Sequence, residues 1–480
     1  MNPGPAILIT LSAAALLAVP RRWAPLPFIL TACYLSVGQA IELGPFTFTA
    51  IRILVAVGVV RVVIRGERLA GGINGLDWWI FAWSAWVCVS GLFHENPAET
   101  LNNRLGLAYN TLGIYVLLRI FCTSIDDVLG LSKATAILLV PLAVEMLYEM
   151  TGAPSLFYAL EGIPRPAYIR GERIRAVGPF THPILAGTIG AVTIPLMVGM
   201  WKQRPWTARA GLSACLAMVV SSASSGPIMS VLAAVTGLAM WRFRYRMRTV
   251  RWMIVGLYVS LAIAMKAPVY YLMARINFVD GSTGYHRSLL IESAIRYFDE
   301  WWVAGTDVTR HWAPSPGYTP QHTDITNQYL SMAVLGGLPL MLLFIAVIAK
   351  AFSVVGVRLR EQTGPSQFQN QFILWALGSM LFAHTVTFLS VSYFDQSFVF
   401  IYLTLAAIGS ARLELRESAA VQAAAPVARG PYRVRPSARN AHRGRPQVVA
   451  GTWRRTKSSV AAQKNSVALP TRRAAREGRR

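Results

Sequence analysis

The stretch PVYYLMARINFVDGSTGYHRSLLIESAIRYFDEWWVAGTDVTRHWAPSPGYTPQHTDITNQYL (Pro268–Leu330) is the longest run without a membrane-length apolar segment before the C-terminal tail. It holds Arg275, Arg287, Arg296, Arg310, His311 and His322 beside Asp280, Glu292, Asp299, Glu300, Asp307 and Asp324. The runs flanking it, 251–267 and 331–352, are apolar. Each is about as long as a bilayer-crossing helix, which needs roughly 17–25 mostly apolar residues. A polar, arginine-rich insertion between hydrocarbon-compatible helices is where chemistry would sit in a membrane protein.

Composition agrees with that reading. Of 480 residues, 54% are hydrophobic and only 14% charged, with a mean hydropathy of +0.43. Soluble domains carry about a quarter charged residues. Working outward, the candidate spans are about 5–20, 25–42, 46–64, 77–93, 105–122, 130–149, 181–200, 208–222, 227–241, 251–267, 331–352, 370–391 and 394–411. The expectation is an all-α polytopic membrane protein with about 12–13 transmembrane helices over residues 1–411. The first segment follows an uncharged MNPGP and reads as a retained anchor rather than a cleaved signal. Cys33, Cys88, Cys122 and Cys215 all lie in apolar runs, without disulfide or metal-ligand spacing.

The net charge of +24 resembles a nucleic-acid signal until it is located. Residues 412–480 hold 17 Lys/Arg against 3 Glu, a net +14, in a segment poor in aromatics. That tail is expected to be disordered, cytoplasmic and attracted to anionic lipid rather than to nucleic acid. The remaining basic residues mark one set of loops: Arg21/Arg22, Arg61/Arg65/Arg68, Lys202/Arg204/Arg209, Arg242–Arg251 and Lys350/Arg358/Arg360. By the positive-inside bias these face the cytoplasm, which turns the loops at about 150–180 and 268–330 outward.

The first outward loop carries Arg165, Arg170, Arg173 and Arg175 within eleven residues. Outward arginines run against the topology bias, and guanidinium forks suit phosphate oxygens. The alternative is a surface loop pairing with Glu161, Glu172 and lipid headgroups. His182, next to Pro183, is expected to cap or orient the following helix. In the second loop, residues 286–302 read as an amphipathic helix. Its apolar face is Leu290, Ile291, Ala294, Ile295, Phe298, Trp301 and Trp302. Glu292 and Arg296 form an i,i+4 pair on the polar side, and Arg287 at the start reaches inward. Such a helix fits the outer bilayer surface and the floor of a groove for a lipid-linked substrate.

His311, His322 and Asp324, with Asp307 upstream, form the densest outward histidine–carboxylate neighbourhood. General-base activation of a hydroxyl needs such a group within hydrogen-bond reach. The bland alternative has Asp324 or Thr326 capping a helix that starts near Asn327. Arg52, within a span, either snorkels or lines a site. SSASSGP (Ser221–Pro227) reads as a tight outer turn, and no Walker, GxGxxG or HExxH motif occurs.

Together, four short motifs and this layout resemble the O-antigen ligase and polysaccharide polymerase superfamily of bacterial inner-membrane proteins. The motifs are LYEMTG (Leu147–Gly152), IRAVGPFTHPILAG (Ile174–Gly187), SSASSGP, and RSLLIESAIRYFDEWWVAGTD (Arg287–Asp307) closing with TNQYLSMAVLGG (Thr326–Gly337). The second is similar to the family's Arg-x-x-Gly-x-Phe-x-His/Asn-Pro start of a helix. The resemblance covers roughly residues 130–350. It implies a GT-C-like glycosyltransferase of the bacterial inner membrane that needs neither metal nor cofactor. The donor would be an oligosaccharide on undecaprenyl pyrophosphate, transferred to a hydroxyl of a glycan acceptor on the outer face. A chain-length regulator and a flippase would be the protein partners. Arg175 and Arg287 take the family's pyrophosphate-binding places. Family ligases commonly carry a histidine directly before the Asn of Asn-x-Tyr-Leu, where this chain has Thr326. That departure favours a polymerase over a ligase.

The residues expected to bind pyrophosphate or glycan are thus Arg173, Arg175, Arg287, Arg296 and His311, with His322 and Asp324 as catalytic candidates. The rival from another class is a lipid-linked glycan flippase, which would keep its polar residues inside the helix bundle and its outward loops short.

Overall fold

The computed structural model describes residues 2–44, 46–69, 71–162, 168–275, 284–314, 320–361 and 367–410. Arg165, Asp280 and the basic tail lie outside the described residues. The chain is mostly helical. In order come α1 (Pro3–Ala18), α2 (Leu26–Tyr34), α3 (Ala50–Arg65), α4 (Gly75–Ser90), α5 (Pro97–Phe121), α6 (Ile125–Met150), α7 (Leu156–Glu161) and α8 (Pro183–Gly199). Then follow α9 (Pro205–Ser221), α10 (Ser225–Ala239), α11 (Met247–Ala264), α12 (Gly284–Arg296), α13 (Phe298–Trp301), α14 (Gln328–Glu361), α15 (Phe368–Thr387) and α16 (Phe398–Ser410). Among the described residues two antiparallel hairpins interrupt them: β1 (Ala40–Leu43) with β2 (Phe46–Thr49), and β3 (Tyr168–Arg170) with β4 (Arg173–Arg175).

Five helical stretches among the described residues are long and apolar enough to cross a membrane: Gly75–Phe93, Ile125–Met150, Ser225–Phe243, Met247–Ala264 and Gln328–Glu361. Local chemistry sets the helix starts. Asn74 with Asp77, and Ser124 with Asp127, form reciprocal capping boxes at α4 and α6. One continuous core joins α2, α4–α6, α8–α10 and α14–α16 through residues such as Phe28, Tyr115, Phe121, Ile189, Met218, Met380 and Phe400. Inside it one buried charge pair is closed: Arg119 Nε and Nη2 each lie 3.1 Å from an oxygen of Asp77. By contrast α11 buries none of its residues. A helix apolar on all sides and unburied by protein is suited to lipid.

Two expectations need correction. The stretch 25–42 is not a span, because α2 has 9 residues and is followed by the β1–β2 hairpin. At 1.5 Å per residue such a helix reaches only about 14 Å, half of a bilayer core. The stretch 331–352 lies within the apolar α14, but that helix is interrupted. Gly336 and Gly337 leave helical geometry, Gly337 at φ 77°. The freed backbone groups are taken by other parts of the chain. Trp302 O accepts from Leu338 N at 2.9 Å, and Thr306 N donates to Val334 O at 3.0 Å. Gly336 O accepts from the Trp86 indole at 2.8 Å. A Cβ on Gly337 would meet Val303 O at 2.4 Å, so only glycine fits where the loop after α13 enters the break. Second, the cap of α14 is neither Asp324 nor Thr326. Asn327 Oδ1 accepts from Tyr329 N at 2.9 Å and Leu330 N at 3.1 Å.

The 286–302 helix is present, split into α12 and α13, and its apolar face is not simply turned to lipid. Leu290, Ala294 and Trp301 form a second small core with Trp312, Ala313, Leu330 and Ala333. Ile295, Phe298 and Trp302 remain exposed. This core fixes α12 and α13 against the start of α14.

Candidate functional site

The site is built on the β3–β4 hairpin. Gly171, at φ 59°, permits a two-residue turn that pairs Arg170 with Arg173 and Tyr168 with Arg175. Alternation places these four side chains on one face, with Ile169 and Ile174 on the other. Arg173 sits at the exposed tip, whereas Arg175 lies at the base and is 7% exposed. There the turn between α9 and α10 closes over it. Arg175 Nε donates to Ser222 O at 3.2 Å, and Nη2 donates to Ser224 Oγ at 2.6 Å. Ala176 N donates to Ser221 O at 2.9 Å, so strand and turn form one unit. SSASSGP is the tight turn the sequence suggests. It includes Ala223 at φ 42°, the one non-glycine with positive φ among the described residues. That costs of order 1 kcal/mol and is held by the surrounding bonds.

Arg287 approaches the same turn from α12. A Cβ on Gly226 would lie 4.0 Å from Arg287 Nη2, and close to Ile184 and Val391. Arg287 is 7% exposed, and its Nε has no hydrogen-bond partner. Among the described residues no carboxylate lies within ion-pair distance of Arg175 or Arg287. Isolated buried charges are strongly disfavoured. The electrostatics register this. Burial first, then the charge of Arg170, lowers the Arg175 guanidinium to about 10 and also lowers Arg287.

His182 caps α8 as expected, its Nδ1 accepting from Ile184 N at 3.1 Å. Burial, then Arg175 and Arg170, lower it to about 4. It is therefore neutral at physiological pH. With Nδ1 accepting, its proton sits on Nε2, which makes it a donor toward anions and not a base. The loop before α16 clamps this corner. Asp395, fully buried, accepts from Thr181 N and Ser397 N at 2.9 Å each, and Gln396 Nε2 donates to Pro179 O at 2.8 Å. Glu149 accepts from Val177 N at 3.1 Å and Gly178 N at 2.9 Å, gripping the segment before α8.

The other candidates are dispersed. Arg296 is exposed and pairs with Glu292 at 3.4 Å. His311 pairs with Glu300 at 3.0 Å. Asp307 is bound to His94 Nδ1 at 2.6 Å and to Glu95 N at 2.9 Å, a link to the end of α4. Burial works to raise Asp307, but the Glu95 amide and His94 hold it below its ordinary value. His322 Nδ1 lies 3.3 Å from Thr309 Oγ1, and burial lowers its basicity against the opposing charge of Asp307. Asp324 lies apart from these. Its backbone oxygen bonds His286 Nε2 at 3.1 Å, one residue from Arg287. Burial raises its carboxyl, with His286 opposing. The dense neighbourhood in sequence is thus two separate places, and Asp324 is tied through its backbone to the histidine that precedes Arg287. Arg52 donates to Thr47 O and, at 3.3 Å, to Asn110 Oδ1.

No family model, curated protein or solved structure matches the chain. Among the described residues no group of three or more His, Cys, Asp or Glu could hold a metal ion. The arrangement is suited to binding an anion with several oxygens: two buried guanidiniums, a third from Arg170, and an oriented neutral imidazole. Of the arginines the sequence singles out, the structure buries Arg175 and Arg287 and leaves Arg173 exposed. Sequence reasoning missed Asp395 and the serine turn as supports. The alternation within YIRGERIR around a Gly-Glu turn could have revealed the hairpin.

Proposed function

We propose that the protein is a membrane glycosyltransferase of GT-C-like build that polymerises oligosaccharide units carried on undecaprenyl pyrophosphate, on the outer face of a bacterial inner membrane. The observation that carries this reading is the pair of buried, carboxylate-free guanidiniums, Arg175 and Arg287, at one serine-rich turn. A pyrophosphate brings the negative charge and lone pairs this corner lacks, through bidentate contacts. In this reading the chain crosses the membrane about a dozen times. The basic loops and tail lie inside, and α12 lies over the outer face.

The reaction is displacement at the anomeric carbon of the donor. A hydroxyl oxygen of the acceptor glycan forms the new C–O bond, and its proton passes to the Asp324 carboxylate. The bond from the anomeric carbon to the pyrophosphate breaks, and the oxygen keeps the electron pair. Arg175 and Arg287 stabilise that developing charge, and His182 donates Nε2–H to it. A carboxyl raised by burial is better matched to proton abstraction near neutral pH than an ordinary one.

The test is a deletion strain profiled for lipid-linked intermediates. Single repeat units accumulating on lipid, without longer chains, support a polymerase. Full-length polymer retained on lipid points to a ligase with the same donor chemistry. Loss of outward-facing single units points to a flippase. Either of the last two results overturns the assignment.

A further inference from the structure

A separate cavity of about 200 Å³ lies between α4, α5, α14, α16 and the loop 388–397. At ~30 Å³ per water that is room for roughly six waters, or for one small ring. Its walls combine aromatic faces, Phe388 and Phe398 among them, with Trp83, Asn110, Gln328 and Ser331.

Two amides are fixed in one sense, while the Trp83 indole nitrogen is enclosed and shut off from the cavity. Gln328 is 8% exposed, and its Oε1 accepts from Tyr393 N at 2.7 Å, which leaves the amide nitrogen for the cavity. Asn110 Oδ1 is occupied by Arg52 Nε at 3.3 Å, which likewise leaves its NH₂ group. Flipping either amide would set donor against donor. The cavity is therefore lined by two amide donors, by residues bearing hydroxyls (Thr111, Ser331, Tyr393 and Tyr402) and by aromatic and aliphatic side chains, without a charged side chain among the described residues of its walls.

This chemistry selects its occupant. A hydrocarbon chain would leave the Gln328 and Asn110 amide N–H groups unsatisfied, each costing about as much as a lost hydrogen bond. A cation finds no carboxylate, and an anion would be desolvated without a countercharge in the wall. A neutral ring with oxygen acceptors at its rim and C–H faces above and below satisfies both components. We infer that the cavity seats one neutral sugar residue of the glycan.

This inference rests on the glycosyltransferase reading and deepens it. The loop 388–397 joins the two places: Phe388 and Tyr393 wall the cavity, while Val391 packs near Arg287 at Gly226. A glycan held there would run past a single loop from the pyrophosphate corner. Gln328 N also donates to Phe388 O at 2.8 Å, so the start of α14 and this loop move as one.

The test uses the full chain in lipid nanodiscs, with two independent probes. Methyl glycosides of glucose, galactose, rhamnose, N-acetylglucosamine and N-acetylgalactosamine report the cavity by saturation-transfer NMR. Farnesyl pyrophosphate reports the arginine corner. The expected result is binding of at least one glycoside, weakened about tenfold by Asn110→Leu, which keeps the side chain's size and removes the amide. Ser331→Trp, filling the cavity, should abolish glycoside binding while farnesyl pyrophosphate still binds. Three results overturn the inference: no glycoside binds the wild type, binding is unchanged in both variants, or farnesol displaces the glycoside from the cavity. Absence of farnesyl pyrophosphate binding in the wild type is the distinct signature of failure of the glycosyltransferase reading.

Discussion

Replacing Arg287 with methionine should make the empty protein more stable and the loaded protein weaker. The guanidinium is 7% exposed, with Nε unpartnered and no carboxylate within ion-pair distance among the described residues. An unsatisfied buried polar group costs about 1–3 kcal/mol, and more when charged. Methionine has similar reach, no charge and enough flexibility to fill the space beside Ile184, Gly226 and Val391. Arg287→Met should therefore stabilise the ligand-free protein by about 1–3 kcal/mol. The same change removes up to two charge-assisted hydrogen bonds to a pyrophosphate, each worth about 1.5–3 kcal/mol. Affinity should fall roughly 10²- to 10⁴-fold. Thermal unfolding in nanodiscs, with and without farnesyl pyrophosphate, measures both effects. At 100 times Kd the ligand should stabilise the wild type by about 2.7 kcal/mol and the variant by almost nothing. A variant less stable than wild type without ligand, or with an unchanged ligand increment, would refute the reasoning.

Further outcomes follow from the same geometry. Arg173→Ala and Arg296→Ala should leave polymer length near wild type, because one side chain sits at an exposed tip and the other in an exposed ion pair worth about 0–1 kcal/mol. A gel of the polysaccharide checks this. Asn327→Ala should cost about 1 kcal/mol of stability through loss of the α14 cap, whereas Thr326→Ala should cost less; chemical denaturation separates them. For His182, the folded ring titrates at about 4 and the unfolded one near 6.5. Its stabilising contribution is therefore complete above 6.5, and is lost progressively as the pH falls toward 4. His182→Gln should flatten that acid limb in melts across the range, and an unchanged limb would contradict the assignment.

Much of this was readable from the chain. The apolar runs of α4–α6 and α8–α11 follow from length and composition alone. So does His182 as a cap, because a polar residue before proline at a helix start has one common role. What escaped was decided by tertiary contacts. A nine-residue helix with an adjoining hairpin carries the same average hydropathy as a short span, so 25–42 looked continuous. Gly336–Gly337 gave no sign of which backbone would enter the break. Arg173 and Arg175 are equivalent in spacing, and differ only because the serine turn covers one of them. His322 and Asp324, two residues apart, face different neighbours: Thr309 and Asp307 for one, His286 for the other. Sequence proximity merged them, and packing separates them.

The most direct measurement is a reconstituted reaction: the purified protein with lipid-linked repeat units and no other enzyme. Chains should lengthen in steps of one repeat, with one polyprenyl pyrophosphate released per step. Arg175→Ala and Arg287→Ala should abolish both signals, and Asp324→Asn should slow both together. Wild-type protein that lengthens nothing, or arginine variants that lengthen chains normally, would contradict the account.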